Sequence, residues 1–306
     1  MTLEEYMREL LLMRKQYGQE EELYPLINIL LRENDNVKHL SVRHVADAPG
    51  KPGVNKGKIV GANTYLLYGY ASMPDLVIFD ENCDLLIGGE PQKDIILKQI
   101  DNMYGCVEAK IVASSHPVDD IKGENESVKP EECNSALGQL IGELLWYGRV
   151  LYTNGLVWKY LELKSVEYKR NDELITVDDK RKNGVDAQKR FLLNELLDVN
   201  EYNNESRNFS FEEWSKNFYW INSVKECTIL SVEIGNLSDI YNTYINSFLK
   251  SEIPLKEILK EIASKDDLIK GWNGLKTNLA CIDWTGTNTY DQFTHAGKEP
   301  LNELPK

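Results

Sequence analysis

Pro74-Asp75-Leu76-Val77-Ile78-Phe79 and, thirty residues on, Cys106-Val107-Glu108-Ala109-Lys110-Ile111-Val112 are the two runs whose reading decides the fold of this chain. Both are short, apolar and rich in β-branched residues, the composition of buried strands. In a strand, residues two apart share a side, so Glu108 and Lys110 project together while Val107, Ala109 and Ile111 face the other way into packing. If the two strands are neighbours, Asp75 joins them. Two carboxylates on rigid strands can hold a hard divalent ion, Mg²⁺ or Mn²⁺, that keeps most of its waters. A lysine beside them can orient or help deprotonate one such water, and the chemistry expected is hydrolysis of a phosphodiester.

The same residues also have a plainer reading. Glutamate and lysine two apart on an edge strand commonly form a solvated ion pair worth little, and an aspartate after a proline can be ordinary turn chemistry. Asp80, Asp84 and Glu90 lie between the two runs as competing acids, but none sits in so apolar a segment as Asp75. A turn at Gly88-Gly89 and a helix-like piece from Pro91 to Asp101 fill the gap between the strands.

Working outward, Leu3 to Tyr17 and Glu20 to Glu33 read as helices, the second carrying Leu23, Leu26, Ile27, Leu30 and Leu31 at helical spacing. Strands are expected at Val37 to Val45 and Lys58 to Tyr70, with a turn at Val54-Asn55-Lys56-Gly57 between them. The polar stretch Ser114 to Glu132 reads as a mobile loop near the site, and its His116 as a surface residue rather than a catalytic one. A helix is expected from Asn134 to Leu151. The alternating run Trp158 to Leu163 pairs with Leu174 to Val177 through a turn near Asn171-Asp172, closing the sheet near residue 180.

In this order of parts the chain resembles the PD-(D/E)XK nuclease superfamily. Pro74-Asp75 and Glu108-Ala109-Lys110 match its signature. Gln139 on a helix, followed by the Thr153-Asn154-Gly155…Trp158 strand, looks like the N-terminal nuclease domain of type I restriction enzymes and its stand-alone relatives. The resemblance implies a central mixed β-sheet flanked by helices, with Asp75 and Glu108 holding metal, Lys110 serving the attacking water and Gln139 orienting the site or its substrate. It also implies a further metal-binding acid from the first helices, with Glu22 the first choice and Glu21 the second. Three glutamates opening a helix also simply favour its dipole. The chain departs from the pattern four residues after the glutamine, where relatives often carry tyrosine and Glu143 stands here; Tyr147 follows a turn later.

The core is expected over residues 1–185, with a mainly helical accessory region over 186–306 in which 186–201 and 237–265 read as helices. The aromatic residues Phe211, Trp214, Phe218, Tyr219 and Trp220 suit a core better than a base-stacking platform, and the segment after Trp284 reads as a fraying end. The formal net charge of −14 opposes nonspecific attraction to nucleic acid. Local basic strips at Lys51, Lys56 and Lys58, and at Lys164, Lys169, Arg170, Lys180, Arg181 and Lys182, could track phosphates.

DNA is the expected substrate ahead of RNA, in a restriction or defence context. The alternative is a noncatalytic nuclease-fold module contacting a protein partner through its C-terminal region. There is no phosphate-binding GxxxxGK[ST] run and no helicase or methyltransferase signature. Neither a transmembrane run nor a secretory signal is expected, which makes the cytoplasm the expected location. Five cysteines without close pairing read as free thiols.

Overall fold

A computed structural model of the chain describes residues 1–16, 18–44, 74–83, 86–87, 90–91, 102–114, 121, 126–129, 135–170, 173–178 and 224–285. Helix α1 (Leu3–Gln16) begins at a reciprocal cap: Glu5 N donates to Thr2 Oγ1 at 3.1 Å, and Thr2 N donates to Glu5 Oε2 at 2.7 Å. Its buried stripe is Leu3, Tyr6, Met7, Leu10, Leu11 and Met13. A single 3₁₀ turn, Glu20–Glu22, then leads into α2 (Leu23–Arg32), which buries Leu23, Leu26, Ile27, Leu30 and Leu31.

The centre is an eight-stranded mixed sheet, as the sequence predicts in class. Strand β1 is Leu40–His44, β2 is Leu76–Asp80, and a separate two-stranded pair is formed by β3 (Leu86–Ile87) and β4 (Glu90–Pro91). Next come β5 (Met103–Ala109), the short β6 (Glu126–Val128), helix α3 (Ser135–Tyr147), β7 (Arg149–Thr153), β8 (Val157–Arg170), β9 (Glu173–Asp178) and β10 (Val224–Asn236). The order is β1-β2-β5-β7-β8-β10-β6, with β9 also on β8. Among the described residues only β5 and β7 are parallel, and α3 lies on the crossover between them.

Strand β2 is antiparallel to β5, with Leu76 opposite Val107 and Val77 opposite Cys106. The inserted residues therefore leave the two strands adjacent. Pairing by register puts Val77, Cys106, Val150 and Leu161 on one face, where α3 packs against β5, β7 and β8. The other face, with Leu76, Ile78, Val107, Ala109, Leu151, Trp158 and Tyr160, is covered by α1, α2 and three C-terminal helices in one core. Those helices are α4 (Ser238–Leu249), α5 (Leu255–Ala263) and α6 (Asp266–Cys281).

Several expectations need correction. The helix read as continuing to Leu151 stops at Tyr147, because Gly148 takes a φ of +77°, a left-handed conformation that ends helices; Val150 and Leu151 then belong to β7. The stretch read as a mobile loop contributes β6, which pairs with β10 through Cys227 opposite Val128. The β8–β9 hairpin forms, but Leu174 to Val177 pair with Lys169 to Val166 rather than with Trp158 to Leu163, and the sheet does not close there. Strand β10 pairs with β8 from Val157 to Tyr168, and α4–α6 share a core with α1 and α2. The region 237–265 is two helices, and a third follows.

The strand expected at Lys58 to Tyr70, the helix at 186–201, the aromatic run 211–220, His116, the lysines at 51, 56, 58, 180 and 182, and Arg181 lie outside the described residues. Among the described cysteines, Cys83, Cys106, Cys227 and Cys281 are free thiols. No helix among the described residues is long and apolar enough to cross a membrane.

Trp284, after the last helix, is buried against Gly105 and Tyr160. A Cβ at Gly105 would lie 2.5 Å from the indole ring and 3.1 Å from the Arg149 carbonyl oxygen, so only glycine fits between the sheet and this residue. Buried Arg149 donates from Nη1 to the carbonyl oxygens of Trp284, at 3.0 Å, and Tyr104, at 3.3 Å, while its Nε lies 3.9 Å from Glu162.

Candidate functional site

Asp75 stands one position before β2, and the backbone of the neighbouring strand meets it: Ala109 N donates to Asp75 Oδ2 at 2.6 Å. Its other oxygen, Oδ1, accepts from the Tyr24 hydroxyl of α2 at 2.6 Å. Glu108 lies next to Ala109 on β5 and is 2% exposed. Its Oε1 accepts from the Lys110 ammonium and, at 2.7 Å, from Gln139 Nε2 of α3. The same amide group donates to Glu143 Oε1, one turn further along α3, at 3.2 Å. Four residues singled out by sequence, Asp75, Glu108, Lys110 and Gln139, are thus joined through direct contacts to one another or to adjacent backbone.

The backbone after β5 fixes the lysine. Lys110 N donates to Thr153 O at 2.8 Å, extending the parallel pairing of β5 and β7 past the last strand residue. The chain then turns with Ala113 at a φ of +61°, and Asn154 Nδ2 holds this turn by donating to Ser114 O at 3.0 Å. Asn154 Oδ1 accepts from Leu156 N and Val157 N at 3.0 and 2.9 Å, which shapes its own turn. Gly155 is left-handed, with a φ of +80°, and the Tyr6 hydroxyl donates to its carbonyl at 2.7 Å. The Thr153-Asn154-Gly155 run therefore serves as a brace for the loop carrying Lys110.

The three glutamates before α2 have different surroundings. Glu22 Oε2 accepts from Gly18 N at 3.0 Å and Gln19 N at 3.2 Å, closing the turn before α2, and Glu21 is exposed. Glu20, one turn before Tyr24, is the glutamate that couples to the site. Burial pushes its carboxyl up to about 7, against the pull of Lys110 and with the push of Asp75 and Glu21. The 3₁₀ turn explains the shift from Glu22 to Glu20: Glu20 and Tyr24 are four apart and share a face, while Glu22 points back to its cap. Among the competing acids, Asp80 lies at the far end of β2, accepting from Asn82 N and the Tyr104 hydroxyl, each at 2.8 Å.

Burial dominates the electrostatics. It raises the Asp75 carboxyl, although hydrogen bonds from Tyr24 and Ala109 oppose the rise. It raises Glu108 much further, aided by the charges of Glu143 and Asp75, and takes Glu143 up to about 7. Burial alone would lower the Lys110 ammonium, but the Glu108 carboxylate in contact with it more than offsets this and keeps it charged. The acids therefore hold protons to unusually high pH, while the lysine stays a donor.

This has a stability signature. Glu143 has an ordinary value near 4.5 and a folded value near 7, so the native state binds more protons than the unfolded chain between those limits. Its contribution is complete below about pH 4.5 and is lost as pH rises through 7. Glu143→Gln, which copies the neutral form, is expected to remove this dependence. Urea unfolding in chelator at pH 5 and pH 8 checks it: equal pH slopes in wild type and variant would refute the assignment.

Among the described residues, no group of three or more His, Cys, Asp and Glu side chains is placed to hold a metal ion. The donor set fits a leaner site. Asp75, just before β2, and Glu108 on β5 are neighbours, and Glu108 Oε2 is buried and accepts no hydrogen bond among the described residues. Two carboxylates with water completing the shell are sufficient for Mg²⁺. Tyr24, Glu20, Glu143 and Asn154 were not assigned roles from sequence; the i, i+4 spacing of Glu20 to Tyr24 and of Gln139 to Glu143 was the available signal. Comparison with protein-family models, curated proteins and solved structures found no match to this chain.

Proposed function

We propose that this chain is a metal-dependent nuclease of the PD-(D/E)XK type that hydrolyses phosphodiester bonds, with DNA favoured over RNA. One observation carries the reading: Lys110 pairs with Glu108 beside Asp75, with Gln139 donating to the same glutamate. A structural surface pair would face water, whereas Glu108 is buried. An arrangement of two strand acids, a lysine and a helix amide is what such hydrolysis needs.

Asp75 and Glu108 would hold Mg²⁺ or Mn²⁺, and Glu20, rather than Glu22 or Glu21, is the glutamate of the helical side that feels the charges of Lys110 and Asp75. When bound, the ion would acidify a coordinated water and offset charge on the phosphate. Lys110, held as an ammonium, acts by donating: it orients the water and stabilises negative charge on the phosphoryl oxygens. Gln139 fixes the Glu108 carboxylate through one amide proton and directs the other to Glu143. Tyr24 and the Ala109 N–H hold Asp75 in place. Hydrolysis joins the water oxygen to phosphorus and breaks one ester P–O bond, leaving a phosphomonoester and an alcohol.

The test is incubation of the purified chain with plasmid DNA and with single-stranded RNA, with Mn²⁺ or with chelator, beside Asp75→Ala. Metal-dependent cutting in wild type that is lost in the variant is expected. The same cutting in both proteins would mark a contaminant and favour the noncatalytic binding module.

A further inference from the structure

The end of the sheet that carries the candidate site also carries the last residues of β1. That strand runs antiparallel to β2 with Arg43 opposite Val77 and His44 opposite Leu76, and Val77 in turn lies opposite Cys106 of β5. Arg43 and His44 therefore stand beside Asp75, which precedes Leu76, and at the same sheet end as Lys110, which follows β5. His44 ties the two places together: its ring packs on Tyr24 at a centroid distance of 4.5 Å, and the Tyr24 hydroxyl holds Asp75.

Residues directly across a sheet share a face, so Arg43, Val77 and Cys106 point one way. Glu108, two residues after Cys106, points the same way. Two strand spacings and two residues of rise put the backbones of Arg43 and Glu108 about 12 Å apart. Arg43 thus borders the cleft instead of entering it, a place that suits the phosphate next to the one being cut.

Arg43 is exposed, and its guanidinium forms no hydrogen bond or ion pair among the described residues. Arg32 of α2 lies against the same strand, donating from Nη2 to Val42 O at 3.5 Å and from Nε to Asn28 Oδ1 at 2.7 Å. The acids that follow Arg32 in sequence are engaged elsewhere, Glu33 with the N-terminal ammonium and Lys276, and Asp35 with Lys38. A chain with a formal net charge of −14 repels a polyanion as a whole, so binding one requires cations at the border of the site. The planar fork of arginine matches phosphate oxygens. Lys164, from the basic strip expected by sequence, turns instead to the buried Glu162 at 3.4 Å.

We propose that Arg43, with Arg32 behind it, binds the DNA backbone at a phosphate beside the scissile one and so positions the strand across Asp75 and Glu108. The proposal rests on the nuclease reading and supplies it with a substrate contact outside the reacting centre.

Fluorescence anisotropy of a labelled DNA duplex, titrated with the full chain carrying Asp75→Ala to block cutting, tests it at about 50 and 200 mM KCl. Adding Arg43→Gln is expected to weaken binding about tenfold and to lower the slope of log affinity against log salt by about 0.9, the value for one lost phosphate contact. Arg43→Lys should keep the slope. In the otherwise unchanged chain, Arg43→Gln is expected to raise KM for Mn²⁺-dependent cutting by a similar factor, with the loss on KM rather than on kcat. An arginine that merely keeps a sheet edge soluble moves neither quantity. Affinity within twofold and an unchanged salt slope for Arg43→Gln, with cutting by the wild type intact, overturn the role of Arg43 and leave the nuclease reading standing. Absence of metal-dependent cutting by the wild type overturns both.

Discussion

Lys110→Met is expected to slow phosphodiester cleavage about 10²- to 10³-fold at saturating Mn²⁺, the usual loss when one charged donor to a developing oxyanion is removed. Methionine keeps the length and the apolar stem, and the backbone bond from position 110 to Thr153 O survives any side chain. The defect should therefore fall on the chemical step. Metal affinity should hold or rise, because the substitution removes a cation in contact with Glu108. Single-turnover rates on a short duplex, with Mn²⁺ affinity measured in parallel, separate the two effects. A rate within threefold of wild type would remove Lys110 from the reaction.

The second large effect is on stability. Arg149 and Glu162 are 1% and 3% exposed, and the guanidinium also ties the carbonyls of Tyr104 and Trp284 together. Arg149→Met is expected to destabilise the chain by about 3 kcal/mol, since it takes the guanidinium from beside the buried Glu162 carboxylate and from the two carbonyls it joins. Tyr160 and Lys164 still reach that carboxylate, at 2.8 and 3.4 Å, which limits the loss. The double variant Arg149→Met/Glu162→Gln should recover much of it. Urea unfolding of the two proteins decides the matter: a loss below about 1 kcal/mol in the single variant would mean that the pair carries no structural weight.

The strand acids were legible because their signal is local. Alternation in Cys106–Val112 assigned Glu108 and Lys110 to one side without any knowledge of the fold, although the strand ends at Ala109 and Ile111, expected to face into packing, is exposed; the apolar run after Asp75 marked its strand. Gln139 was legible through its helix. Strand β10 was missed because its pairing with β8 shifts register between Val224 and Glu226, Thr228 and Ile229, and Glu233 and Gly235. Each irregularity breaks the period-two pattern by which a strand is recognised.

The three glutamates ride on a 3₁₀ turn, not the α-helix the sequence suggested, and the two geometries aim the same residues differently. Arg149 and Glu162 each sit in an ordinary-looking strand. Their meeting depends on the register of β7 against β8, Arg149 opposite Glu162, which no single segment encodes.

The shared core of α1 and the C-terminal helices reaches into how the molecule is made. Tyr6 stacks with Trp272 at a centroid distance of 4.8 Å, and α1 packs on α4 and α5, so its apolar stripe finds its cover roughly 250 residues after it emerges. At roughly 5–20 residues per second of synthesis, α1 leaves the ribosome and waits for roughly ten to fifty seconds before its partners exist. A newborn chain halted at residue 185 would carry every residue of the candidate site together with an uncovered apolar flank, which makes it a natural client for chaperones and a poor stand-alone fragment.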